Sequence, residues 1–321
     1  MILNIKISLF TGTVDSLQVS LVLDSLWQCG YDAINMSAAE FFKDLFVLTF
    51  SQIISLFAGV IVFGLLIHFI SHFTFNSLGR AFGPAGTYLV AWLGTPIHEL
   101  GHVIFCIIFG HKITKVELFS PDPQTGTLGY VNHEWNKSNP WHVIGNFFIG
   151  IGPVIVGSLA LLGLFYLLAP NGSQAWDSII AGANEIGSDN SISGYLTVLK
   201  DSFLVFAKSV FTVSNISSWQ FWVFCYLAIC VASNIRLSLA DMKNSLSGLG
   251  CLIIPFIIVN IVALLSGIGS ERYFPFTASS LSIMYSLFIL ALIMTAAGFV
   301  LVYLISAIWM KLSRGRILNP F

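Results

Sequence analysis

Long apolar runs, separated by short polar segments, dominate the hydrophobic pattern of the chain. A helix needs about 20 apolar residues to cross the hydrocarbon core of a bilayer. Six runs have about this length or more: residues 45–70, 87–110, 143–169, 218–236, 247–269 and 281–310. The pattern therefore predicts an all-α polytopic membrane protein with about six transmembrane helices.

Three segments are too polar to belong to these helices. Residues 1–44 are mixed in character, which predicts an N-terminal cytoplasmic or interfacial segment with a short strand and a helix. Within residues 111–141, two β-prone runs (Ile113–Phe119 and Thr127–Asn132) flank a cluster of Pro, Asp and Gly, which predicts a β-hairpin. Residues 170–217 begin as a polar loop and end with apolar residues at helical spacing, as in a helix that lies on a membrane surface.

The composition agrees with a membrane protein. Hydrophobic residues make up 56% of the 321 positions and charged residues only 9%, whereas a soluble domain has about 25% charged residues. The net charge of −1 gives no reason to expect nucleic acid as a partner. The hydrophobic composition makes the lipid bilayer the expected surrounding. The five cysteines show no CxxC spacing and are interpreted as small buried side chains.

The distribution of Lys and Arg predicts an orientation. With six spans both termini share one side, and placing them in the cytoplasm puts ten of these residues inside and four outside. We therefore expect a multi-pass protein of the cell membrane with both termini and the hairpin in the cytoplasm. The loop at 170–217 would lie outside.

The second apolar run contains the sequence HELGH at positions 98–102. Ionisable side chains inside a membrane span are costly and usually mark a functional site. His98 and His102 are four residues apart, so on a helix they share one face and can bind one ion, while Glu99 is placed to act as a base. The motif predicts a Zn²⁺ site with two histidine ligands. Catalytic zinc usually has three protein ligands, so one is still missing.

These residues resemble the site-2 protease family of intramembrane zinc metalloproteases. HELGH fits the first core helix of that family, and FGHKITKVELF at 109–119 fits the short cytoplasmic strand that often follows. The run FIGIGPVIVGSLALL at 148–162 is similar to the second core helix, where a Gly-Pro pair recurs. The resemblance covers residues 87–245, about half of the chain.

The third core helix of the family ends in an Asn…Pro…Leu-Asp-Gly pattern that supplies an aspartate ligand. The nearest match here is SNIRLSLADMKNSL at 233–246, which assigns Asp241 as the third zinc ligand and Asn234 to substrate binding. No proline separates these two residues, and Met242 stands where the family has glycine. The chain is therefore identified as a divergent member.

The resemblance implies an architecture and an activity. A metalloprotease core of three transmembrane helices would occupy residues 87–245, preceded by the helix at 45–70 and followed at 246–321 by two helices and a basic tail. Such a protein cleaves peptide bonds of membrane-embedded substrates, for example single-span helices, with Glu99 as the general base. The hairpin would hold the unwound substrate by adding it as a strand.

Several alternatives remain open at this point. The third ligand could instead come from the predicted cytoplasmic loop between the second and third spans, at His111, His133, Glu134 or His142. The chain could also be a non-catalytic zinc-binding protein of the same fold, or a transporter with an intramembrane ion path. The glycines of the third span are expected to permit close helix packing; they are Gly145, Gly150, Gly152 and Gly157.

Overall fold

The structure, a computed structural model, describes residues 37–174, 176–177, 200, 204, 208–266 and 270–319. Its helices are α1 (Ala38–Phe82), α2 (Pro84–Ile108), α3 (Pro140–Leu168), α4 (Val213–Ile216), α5 (Trp219–Ala232), α6 (Leu239–Leu265) and α7 (Ser270–Arg314). The two strands are β1 (Lys112–Glu117) and β2 (Tyr130–Glu134). The strand predicted near the N-terminus and most of the surface helix predicted before residue 217 lie outside the described residues.

Five helices are long and apolar enough to cross a membrane, which indicates a multi-pass membrane protein. They are α1, α2, α3, α6 and the part of α7 from Met284 onward. The predicted span at 218–236 is wrong, because α5 has only 14 residues. At 1.5 Å per residue it is about 21 Å long, which is shorter than the hydrocarbon core of about 30 Å.

A capping box at Ser238 explains why the apolar stretch is interrupted between α5 and α6. The Ser238 hydroxyl accepts a hydrogen bond from the backbone N–H of Asp241 (3.1 Å), and the Asp241 carboxylate accepts one from the N–H of Ser238 (2.7 Å). This reciprocal pair starts α6. Residues 233–238 therefore form a non-helical break inside an otherwise apolar stretch.

Helices α5 and α6 run in the same direction along α3. The ring of Phe224 in α5 packs on that of Phe165 near the end of α3, with 5.2 Å between centroids. Further on, the Ser245 hydroxyl of α6 is 3.4 Å from the carbonyl oxygen of Phe147, near the start of α3. The two helices are thus two pieces of one discontinuous helix, antiparallel to α3, rather than two separate crossings.

Helix α7 packs alongside α1 and runs in the same direction. Tyr285 lies beside Phe63 (6.1 Å between centroids), and further along both helices Trp309 lies beside Phe82 (5.8 Å). The described helices therefore make five passes, and the start of α1 and the end of α7 lie at opposite ends of the bundle. The prediction that both termini share one side depended on six crossings, so the charge count no longer assigns either end to a compartment.

This arrangement predicts the outcome of a topology experiment. Single cysteines at Gln124 in the hairpin and at Arg316 after α7 should react with a membrane-impermeant reagent from opposite sides. Ser173, which follows α3, is the control and should report the same side as Arg316. Labelling of Gln124 and Arg316 from one side would contradict five passes and restore the six-span arrangement.

The hairpin and the close helix packing agree with the sequence predictions. Strands β1 and β2 pair antiparallel, with Lys112 opposite Glu134 at one end. In α3, a Cβ atom added at any of the four predicted packing glycines would lie 2.1–2.6 Å from an atom of a neighbouring segment. One close approach lies within HELGH itself: a Cβ on Gly101 would lie 2.6 Å from the backbone nitrogen of Pro153. Helices α2 and α3 are therefore in backbone contact beside His102.

Candidate metal centre

Three side chains from two distant segments converge inside the bundle. His98 and His102 project from α2, and Asp241 lies in the first turn of α6. The Asp241 carboxylate is 3.3 Å from Nε2 of His102 and 3.9 Å from Nε2 of His98. Ligands bound to one tetrahedral zinc at 2.0–2.2 Å would be about 3.4 Å apart. The three groups are therefore spaced as ligands of one metal ion would be.

Both imidazole rings are held in the orientation that a metal requires. Nδ1 of His102 is 2.8 Å from the carbonyl oxygen of Ile149, and Nδ1 of His98 is 2.8 Å from that of Asn234. A carbonyl oxygen can only accept, so each Nδ1 carries the hydrogen and each Nε2 presents its lone pair toward Asp241. Such hydrogen bonds fix the tautomer and orientation of metal-binding histidines.

The sequence explains why neither of these two carbonyl groups is bonded to a backbone N–H of its own helix. In an α-helix the carbonyl of Ile149 would accept from the N–H of residue 153, but Pro153 has no N–H to donate. Asn234 lies just beyond the end of α5, so its carbonyl has no partner within that helix. A helix-internal proline and a helix break thus each release one backbone acceptor for a histidine.

Replacing Pro153 should weaken metal binding without weakening the helix. In Pro153→Ala the new N–H competes with His102 for the Ile149 carbonyl, and loss of such a supporting bond costs about 10–100-fold in metal affinity. Competition with a fluorescent chelator would measure this loss. Pro255→Ala in α6 is the matched control, because it also removes a helix-internal proline. Equal affinities in the two variants would contradict this role of Pro153.

The hairpin residues that were alternative ligands do not join this group. Glu134 is 70% exposed and lies 3.8 Å from Lys112. His111 and His133 lie together beside Cys106 and form a separate cluster. Burial, with smaller contributions from His111 and His102, lowers the pKa of His133 to about 4. In the described residues, Asp241 is therefore the carboxylate that completes the set begun by His98 and His102.

The predicted base lies next to this group. Glu99 is only 6% exposed and makes no hydrogen bond or ion pair with any described residue. Together with His98, His102 and Asp241 it lines a cavity of about 390 Å³. The cavity continues along the hairpin residues from Gly126 to His133. A molecule in the cavity could thus contact the donor set, the free carboxylate and the hairpin at once.

The predicted substrate-binding residue has a more internal position than expected. The Asn234 side chain accepts a hydrogen bond from the Thr95 hydroxyl (3.2 Å) and donates one to the carbonyl of Cys230 (2.8 Å). Its backbone oxygen also orients His98. A role of Asn234 in substrate binding stays a prediction, whereas its contacts show how it holds the break between α5 and α6 against α2.

Arg236 was missed by the sequence analysis. It is partly buried, lines the same cavity, and places its guanidinium 5.0 Å from the centre of the Phe75 ring. Among the described residues it makes no ion pair. The sequence did contain an indication of its importance, because a charged residue within a predicted membrane span often marks a functional site.

Comparison of the chain with models of protein families, with curated proteins and with solved structures finds no match. The described residues themselves provide a buried His/His/Asp donor set, a free carboxylate beside it and a cavity that reaches the hairpin. These features define a candidate metal centre.

Proposed function

We propose that the chain is an intramembrane zinc metalloprotease of the site-2 protease type, which hydrolyses peptide bonds of membrane-embedded substrates. The observation that carries this proposal is the convergence of His98, His102 and Asp241 beside Glu99 in a cavity within a bundle of apolar helices. Two nitrogen ligands and one carboxylate form a typical donor set of hydrolytic zinc sites, which keep one further coordination position open.

The residues of the chain fit the steps of hydrolysis. His98, His102 and Asp241 would hold the Zn²⁺, and the chemistry it would supply is polarisation of the scissile carbonyl and a lowered pKa of a water molecule. Glu99 accepts the proton of the attacking water and later transfers it to the leaving amine. His98, His102 and Asp241 hold the donor geometry beside Glu99.

Arg236 is suited to stabilise the charge that develops on the carbonyl oxygen. It is cationic and lines the cavity of Glu99 without an ion-pair partner among the described residues. Loss of one group that stabilises such a charge costs about 10²–10³-fold in rate. We therefore expect Arg236→Ala to cleave about 10²–10³ times more slowly with unchanged zinc content.

Kinetics on a purified substrate would test this role of Arg236. Lys243→Ala is the control, because Lys243 is close in sequence but exposed. A normal rate in Arg236→Ala, or an equal loss in Lys243→Ala, would remove Arg236 from the mechanism.

The hairpin is placed to hold an extended substrate. Consecutive residues from Gly126 to His133 line the cavity, so a backbone edge faces it rather than one face of alternating side chains. Strand β2 pairs with β1 along its other edge. A helical substrate must unwind before its carbonyls become accessible, and an unwound segment can then pair with the edge of β2.

Comparison of membrane proteomes tests the proposed activity. Cells that carry the Glu99→Gln protein should accumulate one or more full-length membrane proteins that cells with the wild-type protein convert into fragments. New peptide ends within or beside a membrane span should be present only with the wild type. Identical full-length proteins and fragments in the two strains would overturn the protease proposal.

A further inference from the structure

A second cluster of metal-binding side chains lies at the hairpin end of α2. Cys106 is in the last turns of α2, His111 lies between α2 and β1, and His133 is in β2. One donor atom from each residue lies within 4.8 Å of the others. Cys106 is completely buried and His111 is 5% exposed. The cluster shares no residue with the donor set of His98, His102 and Asp241.

The chain turns sharply to bring these groups together. Gly110 has a φ of +72°, a conformation that glycine adopts without strain. This turn folds the chain back so that the N–H of His111 donates to the carbonyl of Cys106 at 2.8 Å. Strand β2 then lies beside the turn, and the imidazole centroids of His111 and His133 are 5.0 Å apart. A helix end, a turn and a strand thus meet at one point.

A backbone carbonyl also orients His111, but the two ring nitrogens have exchanged roles compared with the histidines of the first centre. Its Nε2 is 2.8 Å from the carbonyl oxygen of His142, so Nε2 carries the hydrogen and Nδ1 presents a lone pair. That lone pair faces Nδ1 of His133 at 3.0 Å. Two nitrogen ligands of one tetrahedral zinc would be about 3.4 Å apart. A small outward shift of either ring would therefore admit an ion.

We propose that Cys106, His111 and His133 form a second metal site, which binds Zn²⁺ and links the hairpin to α2. Its donors are one thiolate and two imidazoles, a set that suits zinc and not the hard cations Mg²⁺ or Ca²⁺, which prefer oxygen ligands. On binding, the Cys106 thiol releases its proton to solvent, and its sulfur, with the two Nδ1 atoms, coordinates the ion. A water molecule completes the tetrahedron.

The site would fasten the hairpin to α2. His133 is the last cavity-lining residue of β2, and Cys106 lies one helical turn beyond His102. A metal bridge between them fixes the edge of β2 beside the first centre. Without a metal, the same two rings could form a hydrogen bond in which Nδ1–H of His133 donates to Nδ1 of His111. The experiments below separate these two arrangements.

The zinc content of purified protein is the first test. The full chain, purified with an affinity tag free of histidine, should contain two zinc ions. His98→Ala and Cys106→Ser should each contain one, and Cys230→Ser, which changes another fully buried cysteine, should contain two. One zinc per wild-type chain, absent from His98→Ala, would overturn the second site. So would equal zinc contents in wild type and Cys106→Ser.

Cobalt substitution gives a second test, and its first readout is on the wild-type protein. A thiolate bound to Co²⁺ gives a near-ultraviolet charge-transfer absorption, and the first centre has no thiolate. The absorption should appear in the cobalt-loaded wild type, persist in His98→Ala and Cys230→Ser, and disappear in Cys106→Ser and His133→Ala. No absorption in the wild type would leave only the hydrogen-bonded histidine pair, and an unchanged absorption in His133→Ala would exclude the proposed three-residue site.

Discussion

Replacing Glu99 with glutamine should slow peptide-bond cleavage by about 10²–10⁴-fold, the usual contribution of a positioned general base. Glutamine has nearly the shape of glutamate but cannot accept the proton of an attacking water at neutral pH. Because Glu99 is not among the three donors that surround the candidate centre, the zinc content should stay at the wild-type level.

The measurement combines single-turnover cleavage of a substrate identified in cells with metal analysis of the same preparation. Glu134→Gln is the matched control, since Glu134 is an exposed glutamate of the hairpin, and it should cleave at the wild-type rate. Normal cleavage by Glu99→Gln would exclude this residue as the base. Loss of zinc from that variant would instead make Glu99 part of the metal site.

Changing Asp241 to asparagine should remove most of the zinc from the first centre and, with it, the activity. The variant replaces the anionic ligand of a three-residue set by a neutral amide. The Oδ1 atom of asparagine can still accept the hydrogen bond from the backbone N–H of Ser238, so the start of α6 should persist. A loss of metal can then be separated from a loss of fold.

Ser238→Ala supplies the converse control. It removes the hydroxyl that accepts from the N–H of Asp241 and should cost about 1 kcal/mol of stability, yet leave the zinc content unchanged. Metal analysis and thermal unfolding of the two variants would distinguish these effects. If Asp241→Asn kept all of its zinc, the third ligand would have to be another group, and the proposed function would lose the observation that carries it.

The sequence predicted those parts of the centre that depend on local spacing. His98, Glu99 and His102 belong to one short helical motif, so their common position followed from helix geometry alone. Asp241 was assigned through a resemblance to a family motif, and the structure places it beside both histidines. The hairpin could be predicted because β-prone runs flanked a turn cluster.

Other features depend on pairings between distant segments. The break before α6 lies within an apolar stretch. The length of that stretch alone predicted a complete span at 218–236, although Ser238 and Asp241 have the spacing of a capping box. The role of Pro153 depends on which side chain donates to the freed carbonyl of Ile149, and that side chain, His102, lies 47 residues from Ile149. Cys106 was interpreted as a buried apolar side chain because its histidine neighbours come from other segments.

The break between α5 and α6 also affects the supply of water, which is the second reactant of any hydrolysis. A bilayer interior is dry, whereas each cleavage consumes one molecule of water. The cavity beside the break has a volume of about 390 Å³, which holds on the order of ten waters at about 30 Å³ each. Polar groups of Asn234 and Arg236 line it, and such groups keep a cavity hydrated. A hydrolysis at the candidate centre would thus draw its water from the cavity that the interrupted helix lines.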